Sequence, residues 1–178
     1  MYKDFERVLV SKEQLQIRIN ELAKTLNKDY DNKNPLFICI LKGSTFFTAD
    51  LLRALSIPCQ MEFMAVSSYG SGTTSGEVKL VKDLNVPIEN RHVIIIEDII
   101  DSGNTLSYLK RLLSQRNPAS IKICTLLDKP ERRKVELNAD YVGFVIPDEF
   151  VVGYGLDYNE DYRAYPEVCI LKREVYTK

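Results

Sequence analysis

Short, continuous apolar runs that alternate with amphipathic segments constrain the fold of this sequence more than any other feature. The runs lie at residues 36–41, 93–96, 121–127 and 141–146. Runs of this length are typical of strands buried on both faces of a parallel sheet. Apolar side chains at helical spacing occupy the intervals, as at Phe47 and Leu51 and at Leu106, Leu109 and Leu113. Because strands that alternate with helices form right-handed crossovers, the sequence predicts an α/β fold with a mostly parallel sheet flanked by helices.

Length and charge limit the domain count and the class of partner. The chain has 178 residues, and no repeat, linker or low-complexity tract divides it, so we predict a single domain over residues 1–178. It carries 24 basic and 25 acidic side chains, for a formal net charge of -1. Nucleic-acid-binding proteins usually carry a surplus of Lys and Arg, and this balance therefore predicts no nucleic-acid partner.

The cysteines and the first residues bear on the compartment. The four cysteines contain no CxxC pair, and three of them lie inside apolar runs. This pattern favours buried, reduced thiols over a disulfide framework or a zinc site. Residues 1–6 lack the apolar stretch of a signal peptide, and no apolar run approaches the length of a membrane span. We therefore expect a cytosolic protein without a membrane partner.

A polar, glycine-rich segment interrupts the alternation at residues 69–76. Residues 61–68 and 77–81 read as strands on either side of it. The segment is either an idle hairpin loop or a mobile lid, and long polar loops inside compact α/β domains favour the lid. We predict a lid over about residues 67–80, opened by Ser68 and Tyr69.

The apolar run at residues 93–96 leads into the segment with the most chemistry. In open α/β sheets, ligands bind beyond the carboxyl ends of the strands. Two adjacent carboxylates, Glu97 and Asp98, follow the run and are predicted to lie in the connection between strand and helix. After them comes a small polar turn that consists of Asp101, Ser102, Gly103, Asn104 and Thr105. Glycine, hydroxyl groups and the start of a helix together favour phosphate binding by this turn.

Carboxylates beside a phosphate site would repel the ligand unless something lies between them. A hard divalent cation or the hydroxyl groups of a sugar would resolve this conflict, and Mg²⁺ with a phosphorylated ribose supplies both. Two other interpretations stay open at this point, namely that the carboxylates cap the helix, or that they form the phosphoacceptor of a receiver domain. The second is disfavoured because receivers place their acidic pair after the first strand. The sequence contains no GxxxxGK[ST] or GxGxxG motif.

Five segments together resemble the type I purine phosphoribosyltransferases, in particular those acting on hypoxanthine and guanine. Residues 97–105 are similar to the family's phosphoribosyl-diphosphate motif, and residues 41–44 to its pyrophosphate loop. Residues 68–70 resemble the start of its lid, residues 127–130 its purine-recognition loop, and residues 150–158 its C-terminal hood. The resemblance covers nearly the whole chain in order, and it places the hood at about residues 146–178.

The resemblance implies transfer of a ribose 5-phosphate to a purine with release of pyrophosphate. Asp101 is then the general base near the purine N7, and the Leu41–Lys42 peptide is cis. The phosphoribosyl diphosphate would bind to Lys42, Gly43, Glu97, Asp98, Asp101, Ser102, Gly103, Asn104, Thr105 and Arg163. Mg²⁺ is the implied cofactor, with Glu97, Asp98 and Asp157 as its candidate ligands. Family members form homodimers or homotetramers, and the same is implied here.

The resemblance also implies which residues select the base. Purine binding would fall to Ile99, Lys129, Phe150, Val151 and Asp157. A lysine ammonium can only donate hydrogen bonds, so Lys129 suits the O6 acceptor of hypoxanthine or guanine and not the 6-amino group of adenine. Phe150 would stack on the base, with Ile99 on its other side. Xanthine remains an alternative substrate.

Two positions depart from the family pattern, and rival functions stay open. Ser44 replaces a common second glycine and would stiffen its loop, while Asn104 replaces a basic or apolar residue but keeps its backbone amide. A non-catalytic regulator that binds RNA or nucleotide would require a basic face and a degraded loop at Asp101, and the balanced charge and the intact acidic triplet speak against it. A pure interaction module would leave the lid and the Lys42 loop unexplained.

Overall fold

A computed structural model describes residues 3–69 and 77–177. Its strands are β1 (Phe5–Val10), β2 (Leu36–Leu41), β3 (Gln60–Tyr69), β4 (Glu77–Lys82), β5 (His92–Ile100), β6 (Ser120–Asp128), β7 (Tyr141–Val145), β8 (Val151–Val152) and β9 (Val168–Leu171). Its helices are α1 (Lys12–Asp29), α2 (Thr45–Ala54), α3 (Asn104–Ser114) and α4 (Arg173–Tyr176), and a 3₁₀ turn spans Pro130–Arg132.

Within the described residues, six strands form a main sheet in the order β4-β3-β2-β5-β6-β7. The neighbours from β3 to β7 pair in parallel, and β4 pairs antiparallel with β3 at one edge. The predicted α/β fold with a mostly parallel sheet is therefore confirmed. Strand β3 runs one residue beyond the predicted end, to Tyr69, whose backbone pairs with Glu77. Residues 70–76, the centre of the predicted lid, lie outside the described residues.

The main sheet is covered on both faces, which explains why its strands are continuous apolar runs. On one face Phe37, Ile94 and Ile96 pack with apolar side chains of α1 and α2. On the other face Ile95 and Ile123 pack with the leucines of α3. Successive residues of a strand point to opposite faces of the sheet, so a strand that is covered on both faces needs apolar side chains at successive positions. Helix α1 begins with a capping box, in which the Ser11 side chain accepts from the Gln14 backbone and the Gln14 side chain accepts from the Ser11 backbone.

A second sheet, here called the hood, has the strand order β1-β9-β8 and is antiparallel. Strand β1 also belongs to this sheet, although it lies outside the predicted hood of about residues 146–178. The middle of β1 carries Glu6 and Arg7, which are exposed, so the apolar run that marks other strands is missing. Strand β1 instead pairs with β9, where Val10 lies opposite Val168 and Phe5 opposite Leu171.

The cysteines are free thiols, as predicted, with Cys39, Cys124 and Cys169 buried and Cys59 half-buried. Burial raises the pKa of Cys169 to about 11, which keeps this thiol protonated and inert at neutral pH. Among the helices in residues 3–69 and 77–177, none has both the length and the apolar character needed to span a bilayer.

Candidate active site

The segments predicted to carry chemistry follow three neighbouring strands of the main sheet. Lys42 follows β2, Asp101 follows β5, and Lys129 follows β6. These strands are adjacent and parallel, so their carboxyl ends lie along one edge of the sheet. This edge is where open α/β sheets bind ligands.

Glu97 and Asp98 lie inside β5, which corrects the prediction that they belong to the connection after it. The strand continues because Ile99 and Ile100 still pair with Leu127 and Asp128 of β6. Carboxylates normally mark the end of a buried strand, but here the ladder of hydrogen bonds extends past them. Glu97 is consequently only 8% exposed, and Asp98 is half-buried.

Burial is the main influence on the protonation of these two carboxyl groups. It raises the pKa of Glu97 well above its ordinary value, and the neighbouring Asp98 raises it further. Burial also raises the pKa of Asp98, although hydrogen bonds to Glu97 and to the Ile99 amide and the charge of Arg163 oppose this. Ionising two adjacent buried carboxyl groups together costs free energy, because each charge is desolvated and repels the other. A bound cation or hydrogen-bond donors from a ligand would stabilise the fully ionised pair.

The Lys42–Gly43 loop packs directly on Asp98. A Cβ atom placed on Gly43 would lie 1.5 Å from Asp98 Oδ2, so no side chain fits there. A Cβ on Gly155 would lie 2.0 Å from the Gly43 carbonyl oxygen, and Gly155 also has a φ of +103°. The Leu41–Lys42 peptide is cis, as the resemblance implied. Ser44 is buried and donates to the Ile40 carbonyl oxygen at 2.7 Å, which ties the loop to β2.

The predicted phosphate turn lines a cavity of about 200 Å³ at the start of α3. Gly103 is the residue before the helix, and its φ of +82° favours glycine there. The Ser102 hydroxyl accepts from the Asn104 amide at 3.4 Å. Glu97, Asp101 and Thr105 also line this cavity, so the structure brings Glu97 and Asp101 together with the rest of the turn.

Arg133, which no sequence pattern indicated, holds the phosphate turn by a hydrogen bond. Its Nη1 donates to the Asp101 carbonyl oxygen at 2.9 Å, and its Nη2 pairs with the carboxylate of Asp128. The Lys134 amide donates to the Ser102 carbonyl oxygen at 2.9 Å. A basic residue four positions after Lys129 gives no pattern from which this long-range role could be predicted.

The Asp101 side chain lies at the boundary between two cavities. Its Oδ1 is 3.1 Å from Arg132 Nε, and Arg132 Nη1 lies 3.5 Å from Asp148. Asp101 and Ile99 line both the phosphate cavity and a neighbouring cavity of about 380 Å³. A ligand in one cavity would therefore reach the residues of the other.

The second cavity holds the predicted purine-binding residues Ile99, Lys129, Phe150 and Val151. Lys129 is only 8% exposed, and its Nζ donates to the Glu149 carbonyl oxygen at 2.6 Å. Burial lowers the pKa of Lys129, against the opposing charges of Asp101 and Asp148. Lys129 is therefore not a solvated surface charge. Phe150, by contrast, is 37% exposed and presents apolar surface to the cavity.

The predicted pyrophosphate contacts are joined by ion pairs across the site. Arg163 Nη2 lies 2.9 Å from Asp157 Oδ1 and 3.2 Å from Glu160 Oε1. Glu160 Oε2 lies 2.8 Å from Lys42 Nζ. Glu160 thus links both predicted cations, and sequence reasoning missed it although it lies between Asp157 and Arg163 in the hood segment. The Arg163 Nε is buried and has no hydrogen-bond partner among the described residues.

The candidate metal ligands are not assembled in advance. In the part of the chain that the structure describes, no three or more His, Cys, Asp or Glu side chains are arranged to hold a metal ion. Asp157 is instead paired with Arg163, and its Oδ2 accepts from the Glu160 amide at 2.9 Å.

Known proteins with similar sequences and structures share this arrangement of the chain. The chain is 51% identical to the hypoxanthine-guanine phosphoribosyltransferase of Streptococcus thermophilus, over 99% of this chain and 98% of that protein. It is 55% identical over its whole length to a bifunctional TilS/HprT protein of Listeria monocytogenes, of which it spans 28%. A crystal structure of a hypoxanthine phosphoribosyltransferase from Staphylococcus aureus superposes with a TM-score of 0.97 at 49% identity, covering 100% of this chain and 97% of the other.

A family model for the phosphoribosyl transferase domain matches residues 9–159, which include the main sheet, the phosphate turn and the first part of the hood. The match and the relatives agree with the resemblance seen in the sequence. The chain belongs to the phosphoribosyl transferase family.

Proposed function

We propose that the protein transfers the 5-phosphoribosyl group of phosphoribosyl diphosphate to hypoxanthine or guanine, giving IMP or GMP and pyrophosphate, in purine salvage. The observation that carries this proposal is that Asp101 and Ile99 each line two neighbouring cavities. One cavity is bordered by the phosphate turn, and the other contains the buried Lys129. A phosphorylated ribose and a 6-oxopurine would therefore meet at Asp101. The names of the full-length relatives support the same reaction.

The phosphate turn and the strand carboxylates would bind the sugar. Ser102, Gly103 and Thr105 line the phosphate cavity, and α3 starts there with its positive dipole end. Glu97 and Asp98 would accept hydrogen bonds from the ribose hydroxyl groups. Lys42, the Gly43 amide and Arg163 would hold the pyrophosphate.

The reaction breaks the bond between ribose C1 and the pyrophosphate oxygen and forms a bond from C1 to purine N9. The bonding electrons leave with the pyrophosphate, whose charge Lys42 and Arg163 would stabilise. Asp101 would accept the proton from purine N7 as N9 attacks the electron-poor C1. Asp101 lines both cavities, which supports this role.

The second cavity would select the base through donors and acceptors. The Lys129 ammonium donates only, so it would favour an O6 acceptor over the 6-amino group of adenine. The ring of Phe150 and the side chain of Ile99 would enclose the base from its two faces. The Val151 carbonyl would accept from the purine N1–H or from a 2-amino group, and Asp157 lies in the following loop.

We further propose Mg²⁺ as the cofactor. Mg²⁺ is typically held by one or two carboxylates together with substrate phosphates and water, which fits a site with no preassembled cluster among residues 3–69 and 77–177. Asp157, Glu97 and Asp98 are the side chains that would contribute. When bound, the ion would neutralise charge on the diphosphate.

The resemblance and the sequence further lead us to propose a homodimer or homotetramer that acts in the cytosol. Sedimentation at several protein concentrations would give the mass of two or four chains. A mass of one chain at all concentrations would exclude the proposed assembly.

The reaction is tested by nucleotide formation from phosphoribosyl diphosphate with hypoxanthine and with guanine, each with Mg²⁺ and with a chelator. We expect nucleotide and pyrophosphate in equal amounts, from either base, in the presence of Mg²⁺ only. Product that persists in the chelator would reject the Mg²⁺ proposal alone. An absence of product from both bases would reject the enzyme and favour a regulator that binds nucleotide or RNA.

A further inference from the structure

The ring of Phe150 is packed on one side by Tyr176 of helix α4. The two ring centroids lie 4.7 Å apart with an angle of 19° between the planes, which is a stacked pair. Tyr158 meets Phe150 edge-on, at 5.7 Å and 88°. A stack covers one face of a ring, and Phe150 is still 37% exposed and lines the purine cavity. Part of the Phe150 surface thus remains available to a ligand.

Helix α4 is fixed to the hood by backbone and apolar contacts. The Lys172 amide, at the start of the helix, donates to the Asp4 carbonyl oxygen at 2.8 Å. The Leu171 amide donates to the Phe150 carbonyl oxygen at 2.9 Å, so the chain leading into α4 is bonded to Phe150 itself. Tyr176 and Val175 pack against a buried cluster that consists of Phe5, Val152, Cys169 and Leu171.

The stacked pair and Ile99 border the same cavity from different parts of the molecule. Tyr176, Phe150 and Ile99 all line the purine cavity. Ile99 packs against the core of the main sheet, whereas Tyr176 packs against the buried cluster of the hood. The stacked rings therefore form part of the hood side of the proposed purine slot.

We propose that Tyr176 is a positioning residue, which holds the ring of Phe150 in the orientation that stacks on the purine. This inference rests on the proposed function. An unsupported, exposed phenylalanine would sample several rotamers, and a ligand would have to select one of them. Stacking with Tyr176 selects the rotamer before the base arrives. Tyr176 itself also lines the purine cavity.

The test compares Tyr176→Ala with Tyr176→Phe in initial-rate measurements with both substrates varied. We expect Tyr176→Ala to raise the KM for hypoxanthine by about three- to tenfold, the range that loss of an aromatic pair predicts. The KM for phosphoribosyl diphosphate and kcat should stay within about twofold, because the contact lies on the base side only. Tyr176→Phe retains the ring and should restore the wild-type KM for hypoxanthine.

Val175→Ala is the matched control, because Val175 lies on the same helix and the same cluster but has no ring to stack on Phe150. It should lower the Tm as Tyr176→Ala does, while the KM for hypoxanthine stays at the wild-type value. An equal rise in KM in both variants would reduce Tyr176 to a structural contact and overturn the proposal. A lower KM in Tyr176→Ala would also overturn it, since the tyrosine would then be competing for the place of the base.

Phe150→Ala separates a failure of this inference from a failure of the proposed base site. If Phe150→Ala raises the KM for hypoxanthine and Tyr176→Ala does not, only the role of Tyr176 is rejected. If neither variant changes this KM, the base does not stack on Phe150, and both the proposed base site and the role of Tyr176 are rejected.

Discussion

Glu97 and Asp98 lie in a central strand of the main sheet, whereas Asp157, Glu160 and Arg163 lie in a loop of the hood. The strand carboxylates are fixed by backbone pairing between β5 and β6 and by burial. The hood side chains are fixed by ion pairs with one another and with Lys42. One half of the candidate site is thus set by the geometry of the sheet and the other by exchangeable charges.

This difference indicates how each half would respond to a ligand. A sheet-anchored group cannot move far, so a ligand must fit it, and a small steric change should be costly. The Lys42–Glu160 pair joins two exposed side chains, and such pairs contribute little to stability and can be exchanged for a ligand anion. Substitutions in the strand half should therefore act through shape and burial, and substitutions in the hood half through charge and salt.

Asp101 adjoins both halves, and its substitution should have the largest effect. We expect Asp101→Asn to lower kcat by about 10²- to 10⁴-fold, because an amide cannot accept the proton from the purine. Both KM values should change little, as measured by steady-state kinetics. Asp148→Asn is the control for the shared partner Arg132, which pairs with both carboxylates, and it should retain most of kcat. A variant at Asp101 that keeps wild-type turnover would remove it as the base.

Gly43→Ala tests how rigid the strand half is. The added Cβ would collide with the Asp98 carboxylate, which the strand prevents from retreating. We expect kcat/KM to fall by about 10²-fold, the cost of roughly 1 Å of misplacement in a site. Gly143→Ala makes a comparable collision with the Leu126 carbonyl oxygen, at 2.3 Å and away from the site. It should lower the Tm but leave kcat/KM per folded molecule intact, and equal kinetic losses in both would contradict the argument.

Glu97→Gln tests the burial of charge in the strand half. A carboxyl whose pKa is raised by folding supports the fold fully at low pH, and this support is lost as the pH rises through the raised pKa. Glutamine does not ionise, so the variant does not lose this stability as the pH rises. A typical gain of about 1 kcal/mol would raise the Tm by about 2–4 °C at pH 8. The gain should vanish below about pH 4, where the unfolded Glu is also protonated.

Thermal denaturation of the Glu97→Gln variant at both pH values checks this, together with kcat/KM, which should fall. Glu136→Gln, at an exposed position, is the control and should leave the Tm unchanged. A lower Tm for Glu97→Gln at pH 8 would show that the charged form is well accommodated in the fold.

Glu160→Gln tests the exchangeable charges of the hood and should have the smallest effect. It removes an internal anion that holds both Lys42 and Arg163. We expect the KM for phosphoribosyl diphosphate to fall by about twofold at low salt and less at high salt, since exposed pairs are weak and screened. Asp161→Asn makes the same change of charge in the same loop at an exposed position and should leave this KM unaltered. A higher KM in Glu160→Gln would make Glu160 a ligand-binding group instead of a competitor.

The sequence predicted the features that depend on local pattern. Continuous apolar runs indicated the buried strands of the main sheet, and the Gly103 turn indicated a helix start with a cavity beside it. The same local logic misplaced Glu97 and Asp98 after the strand, because pairing with β6 overrides the tendency of carboxylates to end one. Strand β1 was missed because its partner β9 lies far along the chain and its exposed residues hide the pattern.

Contacts between segments that lie far apart along the chain could not be predicted from the sequence either. The approach of Gly43 to Asp98, the pairing of Glu160 with Lys42, and the stack of Tyr176 on Phe150 each join parts of the chain that only the fold brings together. The resemblance predicted several of the residues that line the two cavities. It did not indicate how the two halves of the site are held.

If a strand-anchored phosphoribosyl site adjoins a base site in which the buried Lys129 can only donate, hypoxanthine should be strongly preferred over adenine. The most direct test is the ratio of kcat/KM for hypoxanthine to that for adenine in the wild-type protein, with phosphoribosyl diphosphate and Mg²⁺ held constant. We expect a ratio of about 10⁴, the discrimination of a site built around one hydrogen bond to its substrate. A ratio near one, or a preference for adenine, would contradict the proposed selection of the base by Lys129.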